Sequence, residues 1–374
     1  MSVTRRRNAW VEIDHGAVSD NVVALRRLLK PGTSFMAVVK ADGYGHGPEG
    51  CARAAVAAGA DRLGVATVDE AVALRVAGLA EPLHLLSEAP PEAAGDIVEH
   101  GLTPTVFTRG FATALSAAAM RAAAEVPFHL KVDTGMNRVG VRPEEARDFV
   151  LSLAGLTGLK MEGVFTHLAT ADVSGDWDFG KQVERFDAML RSLRDRGIDP
   201  GIVHAANSPA TILHPEAHYD MVRCGIAIYG LHPAEATRDR VVLRPAMSVK
   251  ARVVHVHRVP MGEGVSYGLT WRAASPTSVA TLPLGYADGV HRVLSGEMRV
   301  LIGGVACRQI GRVCMDQLVV EVPRGHEVCP GDEAVIVGSQ GGETILLDEL
   351  AKLAGTINYE MACAFSMRLE RVSL

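Results

Sequence analysis

SFMAVVKADGYGHG, residues 34–47, decides how the chain is read. An apolar run from Phe35 to Val39 has the texture of a buried strand, and it ends on Lys40. Polar, glycine-rich chain follows at once. A lysine at such a strand end is a salt-bridging surface residue, a phosphate ligand or a nucleophilic amine. The glycines exclude two familiar answers. A Walker-type phosphate loop places its lysine after the glycines, and the dinucleotide fingerprint spaces them differently.

Outward from this stretch, strand and helix alternate with little interruption. The strand-like segments after it are RLGVA, PLHLL, TPTVF, PFHLKV, KMEGVFT, IVHAA and DMVRCGIAIY. Between them lie helical patterns such as GPEGCARAAVAAG, TVDEAVALRVAG and KQVERFDAMLRSLRDRG. A preceding helix is capped by Asp14. Eight strands, each feeding a helix or connector, predict an α/β fold of the (β/α)₈ TIM-barrel type. Near residue 240 the texture changes to short Val-, Arg- and Gly-rich strands punctuated by glycine turns and prolines. One helix around LLDELAKLAG interrupts them, and CAFSMRLERV closes the chain as a strand. The expected domains are a barrel over residues 1–240 and a mainly-β domain over 241–374.

In a barrel of this type, working residues sit at the C-terminal ends of strands. Lys40 ends the first barrel strand, and Lys131 and Asp133 end the fifth. His167 ends the sixth, Asn207 and Ser208 the seventh, and Arg223 lies in the eighth. Each has a bland alternative when taken singly: a core histidine, a Lys131–Asp133 ion pair, an Asn-Ser helix cap. A guanidinium among Val222, Cys224 and Ile226 needs a partner most urgently, because an unpaired interior charge is costly. Five strands delivering polar groups to one end mark an active-site mouth.

Composition removes other classes. At 48% hydrophobic and 22% charged the chain is neither disordered nor extreme. A net charge of −5 gives no global attraction for nucleic acid or anionic membrane, and the basic run at residues 4–7 reads as a solvated terminus. No apolar stretch reaches membrane-spanning length, and no signal-peptide core precedes WVEI. The six cysteines show no metal-ligand spacing and read as reduced residues of a cytoplasmic protein; no metal is expected.

With these residues assembled, the sequence resembles the alanine racemase family, pyridoxal-phosphate (PLP) enzymes of fold type III. The resemblance spans nearly the whole chain and is carried by AVVKADGYGHG, KVDTGMNRVG, GVSYG, GRVCMDQ and TINYE. It implies that Lys40 carries PLP through its ε-amine and then serves as a base beside Cα. Tyr267 is implied as the second base, delivered to the barrel of a partner chain in a homodimer with shared active sites. His167 and Arg223 are implied to favour its phenolate, and Arg223 to face the PLP ring nitrogen. An arginine there leaves that nitrogen unprotonated and the ring a weaker electron sink, which suits racemisation better than decarboxylation.

The resemblance further implies Tyr44, Ser208, Tyr359 and the backbone at Gly225 and Ile226 as cofactor-phosphate ligands. Arg138 and Met315 become contacts for substrate or cofactor ring, with Arg138 tied to a possibly carbamylated Lys131. Tyr286 and Asp316 line the access path, and His46 is structural. The implied activity is interconversion of L- and D-alanine by a two-base mechanism, supplying D-alanine for peptidoglycan. The alternatives are a serine or broad-specificity racemase, a fold-type III decarboxylase and a non-catalytic PLP-binding protein. The tail CAFSMRLERVSL lacks the proline expected of the family, which bears only on contacts near Tyr359.

Overall fold

The first strand, β1 (Ala9–Ile13), and the eight that follow it belong to different units of the computed structural model, which describes residues 7–173, 175 and 177–374. The larger unit takes Val18–Gly43 and Pro48–Arg244. Its strands are β2 (Ser34–Val38), β3 (Arg62–Val65), β4 (Leu83–Leu85), β5 (Thr105–Val106), β6 (Val126–Lys131), β7 (Leu159–Phe165), β8 (Ile202–His204) and β9 (Met221–Cys224). All pair in parallel along the path β4-β3-β2-β9-β8-β7-β6-β5. The path closes where Thr103, just ahead of β5, donates to the Leu83 carbonyl and accepts from the Leu85 amide, both at 2.9 Å. All eight strands expected from the sequence are therefore present, in chain order around a closed sheet. In β2 the inner residues Phe35, Met36 and Ala37 are fully buried, as a strand covered on both faces requires. Each large apolar side chain so buried stabilises the fold by about 1.5–3 kcal/mol.

The helices between strands start where local chemistry starts them. Thr67 and Glu70 form a reciprocal capping box on Val68–Val76. Asn207 caps Ser208–Leu213 by accepting from the Ala210 amide at 3.2 Å. Asp14 accepts from the Ala17 amide at 2.8 Å at the head of His15–Arg26.

The smaller unit takes the opening segment to Ala17, Tyr44–Gly47 and Pro245–Leu374. β1 pairs antiparallel with β10 (Met247–Arg252) and parallel with the closing strand Glu370–Ser373. The chain's opening therefore belongs with residues 245–374, where a single 1–240 barrel domain was expected. The reason is register: Ala9–Ile13 matches Met247–Ala251 residue for residue. Two further expectations are corrected. CAFSMRLERV is strand only from Glu370, because Cys363 and Ala364 end a second helix, Asn358–Ala364, that the sequence reading missed. Arg7 forms a two-pronged ion pair with the buried Asp288 and is not merely solvated; residues 4–6 lie outside the described residues.

Candidate active site

The barrel unit brings its predicted residues to the C-terminal ends of the strands. Lys40 follows β2 and opens a left-handed turn in which Ala41, Asp42, Gly43 and Tyr44 all have φ between 54° and 59°. L-residues avoid this region by roughly 1–2 kcal/mol each, so the turn must be held from outside. Glu70 supplies one hold: its Oε1 accepts from the Ala41 amide at 2.7 Å while its Oε2 takes the Ala66 amide at 2.7 Å. The Gly43 amide donates back to Val39 at 3.0 Å. Glu70 was not singled out from the sequence, where it is one residue of the helical pattern TVDEAVALRVAG.

Arg223 is 3% exposed, and among the described residues no carboxylate pairs with it. Its Nη2 donates to the carbonyls of Thr166 (2.8 Å) and Ala205 (3.0 Å) and lies 3.3 Å from His167 Nδ1. Its Nη1 lies 3.0 Å from His204 Nδ1. Nε makes no hydrogen bond among the described residues. Burial lowers the guanidinium to about 9, which leaves it charged at neutral pH. The result is an immobilised cation with one N–H to spare.

Lys131, at the end of β6, is buried with its Nζ 4.7 Å above the Phe165 ring, and the Arg223 guanidinium sits 5.3 Å from the same ring. Burial, then the charges of Arg223 and Arg138, push the Lys131 amine well below the ordinary lysine range. Asp133 does not form the ion pair that the sequence allowed. Its Oδ1 instead accepts from the amides of Gly135 (3.1 Å) and Asn137 (2.9 Å), shaping the loop that carries the exposed Arg138. No hydrogen bond joins Arg138 to Lys131 among the described residues. Burial, reinforced by Arg223, Lys131, Arg138 and Lys40, holds His167 well below its ordinary pKa, so its imidazole is neutral.

Ser208, buried at the head of its helix, accepts at Oγ from the amides of Gly225 (3.0 Å) and Ala227 (3.5 Å). Its own O–H meets no acceptor among the described residues. Gly225 and Ser208 are thus brought together, with the amide of Ala227 beside them.

In the smaller unit, Tyr44 lies 6.2 Å from Tyr359, ring to ring. Gly45 makes this approach possible, since a Cβ there would stand 2.4 Å from the Ala362 carbonyl of the helix bearing Tyr359. His46 is buried with Nδ1 2.9 Å from the Tyr44 carbonyl. Tyr267, 74% exposed, sits in a tight turn after Ser266, whose φ is 64°. Ser266 Oγ donates to Arg312 at 2.7 Å, and the amides of Tyr286 and Ala287 donate to Cys314 and Met315 at 3.0 Å. These bonds stitch the loops of Tyr267, Tyr286 and Met315 together, with the last two also exposed, at 42% and 53%. Asp316 pairs with Arg368 at 2.6 Å. Among the described residues no group of three or more His, Cys, Asp or Glu could hold a metal ion, and no helix is long and apolar enough to cross a membrane.

Residues 13–233 match the model of the alanine racemase N-terminal domain, and residues 246–373 that of the alanine racemase C-terminal domain. The chain belongs to the alanine racemase family. It is 45% identical to the alanine racemase of Desulfovibrio desulfuricans, covering 98% of both chains. It is 46% identical to that of Symbiobacterium thermophilum, over 99% of this chain and 98% of the relative. Among solved structures it superposes with TM-score 0.94 on alanine racemase from Bacillus anthracis with bound L-Ala-P, at 37% identity, covering all of this chain and 96% of that one. With the Streptomyces coelicolor alanine racemase the TM-score is 0.91 at 39% identity, over 98% of each chain.

Within the alanine racemase fold of this chain, three interior histidines went unread: His84, His129 and His204, all fully buried. Their signal was present. They lie on β4, β6 and β8, which are alternate strands, and in a closed eight-stranded barrel alternate strands fill one interior layer.

Proposed function

We propose that the protein racemises alanine with PLP as cofactor, as a cytoplasmic homodimer whose product, D-alanine, supplies peptidoglycan. The observation that carries this reading is Arg223: a buried guanidinium that, among the described residues, has no carboxylate partner and an uncommitted Nε–H, beside a lysine-bearing strand end. A decarboxylase of this fold would be expected to present an acid there.

The donor set fits PLP. Lys40 is the amine that would hold its aldehyde carbon, and Arg223 Nε–H is the donor for its ring nitrogen. The Ser208 hydroxyl, fixed by two amides and free to donate outward, suits its phosphate, together with Tyr44, Tyr359 and the amides near Gly225 and Ile226. When bound, PLP withdraws electrons from the amino acid's Cα and acidifies its proton. The chain's own residues then govern where that proton goes. Lys40 takes or returns it on the D-alanine face. Tyr267 of a second copy does so on the L-alanine face. Because Arg223 is a charged donor that yields no proton at neutral pH, it limits electron withdrawal and favours fast return of the proton to Cα.

The homodimer is supported by the exposed Tyr267, Tyr286 and Met315, a stitched apolar group of the kind that a partner covers. Lys131 is supported as a carbamate by the lowered pKa of its amine, which enlarges the neutral fraction, the form that attacks CO₂. The product anion, formed with release of one proton, would accept hydrogen bonds from Arg138 as the cationic lysine cannot. Tyr286, Asp316 and Met315 would select for a small side chain.

Chiral chromatography of L-alanine and L-serine after incubation with the PLP-loaded protein tests the reading. D-alanine should accumulate well ahead of D-serine. Neither product forming, in a sample with the visible band of bound PLP, would refute it.

A further inference from the structure

The floor of the site is a chain of hydrogen bonds through the barrel interior. Arg62 grips Glu162 with two bonds, Nη1 to Oε2 at 2.8 Å and Nη2 to Oε1 at 2.9 Å. Glu162 Oε2 lies 2.9 Å from His129 Nε2. His129 Nδ1 lies 2.7 Å from His204 Nε2, and His204 Nδ1 lies 3.0 Å from Arg223 Nη1. His129 and His204 are fully buried, whereas Glu162, at the opposite end of the chain from Arg223, is partly exposed.

The two ends determine every proton between them. Glu162 is ionised, because hydrogen bonds from His129 and then Arg62 hold it down to about 2 against the opposing effect of burial. An ionised carboxylate only accepts, so His129 carries its proton on Nε2. Burial keeps that ring neutral, which leaves Nδ1 bare and able only to accept. His204 must then carry its proton on Nε2, and its Nδ1 is the bare acceptor that Arg223 requires. Read from the other end, Arg223 only donates, and the same assignment follows. Had His204 taken the other tautomer, two N–H groups would face each other in a dry interior, at a cost of about 1–3 kcal/mol.

The surroundings are built for this arrangement. Register shifts between Phe128 and His129 in the β6–β7 pairing, which re-aims the His129 ring. Gly163 leaves the room: a Cβ there would lie 2.7 Å from His129 Nδ1 and 2.5 Å from the Ile202 carbonyl. His84 closes the layer edge-on, its ring 4.6 Å from that of His129.

We propose that Glu162, acting through His129 and His204, is the remote positioning residue for Arg223: it fixes the tautomer that holds the guanidinium in place and directs its Nε–H toward the cofactor. The proposal rests on the functional reading only in that last clause. It extends the site from the mouth of the barrel to the Glu162–Arg62 pair and makes three interior residues part of one device.

Histidine ¹⁵N–¹H correlation spectra at neutral pH, taken before and after PLP loading, test it directly. His129 and His204 should both be neutral with the proton on Nε2 and a bare Nδ1. A proton on Nδ1 of either ring, or an imidazolium, would overturn the proposal. In PLP-loaded Glu162→Met, the His129 tautomer should redistribute, the visible PLP band should shift, and kcat should fall about 10-fold with KM changed by no more than about twofold. Glu162→Gln, whose amide oxygen can accept, should restore most of kcat and the band. Arg62→Met, which leaves the acceptor in place, should keep the tautomers. Native tautomers, band and kcat in Glu162→Met would overturn the proposal; if that variant does not fold, the wild-type tautomers decide. Failure of wild-type protein to take up PLP would instead refute the functional reading, with the tautomers still legible in the unloaded protein.

Discussion

Lys40 and Arg223 divide the labour at the scale of single residues. Lys40 is set on an energetically costly left-handed turn, and its replacement removes both the amine and the base. Lys40→Ala should therefore abolish racemisation in both directions and the visible band of bound PLP; normal turnover would contradict its assigned role. Arg223→Glu should still bind PLP, lose at least about 100-fold in racemisation and gain transamination, because an acid at the ring nitrogen strengthens the electron sink. A pure racemase at reduced rate would show that the guanidinium does not control reaction type. Lys40, His167 and Arg223 could be singled out in the sequence because a polar or charged side chain within or at the end of an apolar barrel strand is conspicuous. Glu162 was not, because a glutamate within KMEGVF reads as the polar face of an ordinary strand. Its meaning depends on two histidines 33 and 42 positions away, which only the closed sheet brings into line.

At the scale of elements, the left-handed turn after β2 is held from outside by Glu70. Glu70 satisfies backbone amides on both the turn and the Val68–Val76 helix cap. Glu70→Ala should cost about 1–3 kcal/mol in denaturant unfolding and weaken PLP retention by freeing Lys40. Stability and retention both unchanged would show that the turn is held by other groups. The barrel strands could be read because each is an apolar run bounded by turn residues. The helix Asn358–Ala364 could not, since seven residues with no side-chain cap leave too little periodicity to separate helix from strand. The place of β1 was hidden for another reason: its pairing with β10 joins residues more than 230 positions apart, and no local pattern reports that.

For the whole molecule, buried neutral histidines couple stability to pH. His84, His167 and His204 all have folded pKa values well below 6.5, chiefly through burial. The unfolded chain binds more protons below that pH, so their contribution is complete above about 6.5 and is lost as pH falls. Each contributes a slope of up to about 1.4 kcal/mol per pH unit. The denaturation midpoint should drop steeply between pH 6.5 and 5; a flat profile would mean these rings are not neutral. The shared-site homodimer makes its own prediction. Mixing inactive Lys40→Ala and Tyr267→Phe chains and allowing subunits to exchange should restore roughly a quarter of wild-type activity, because half the dimers then hold one intact site. No recovery would place both bases in one chain.

The most direct test of the central claim is proton NMR of L-alanine in D₂O with the PLP-loaded protein, paired with a chiral assay of the same samples. Wild-type protein should exchange the α-proton for deuterium and accumulate D-alanine. Tyr267→Phe should retain the bound PLP band and lose L-to-D conversion by about 100-fold or more. Undiminished conversion in Tyr267→Phe, or no exchange in wild-type protein carrying PLP, would contradict the two-base account.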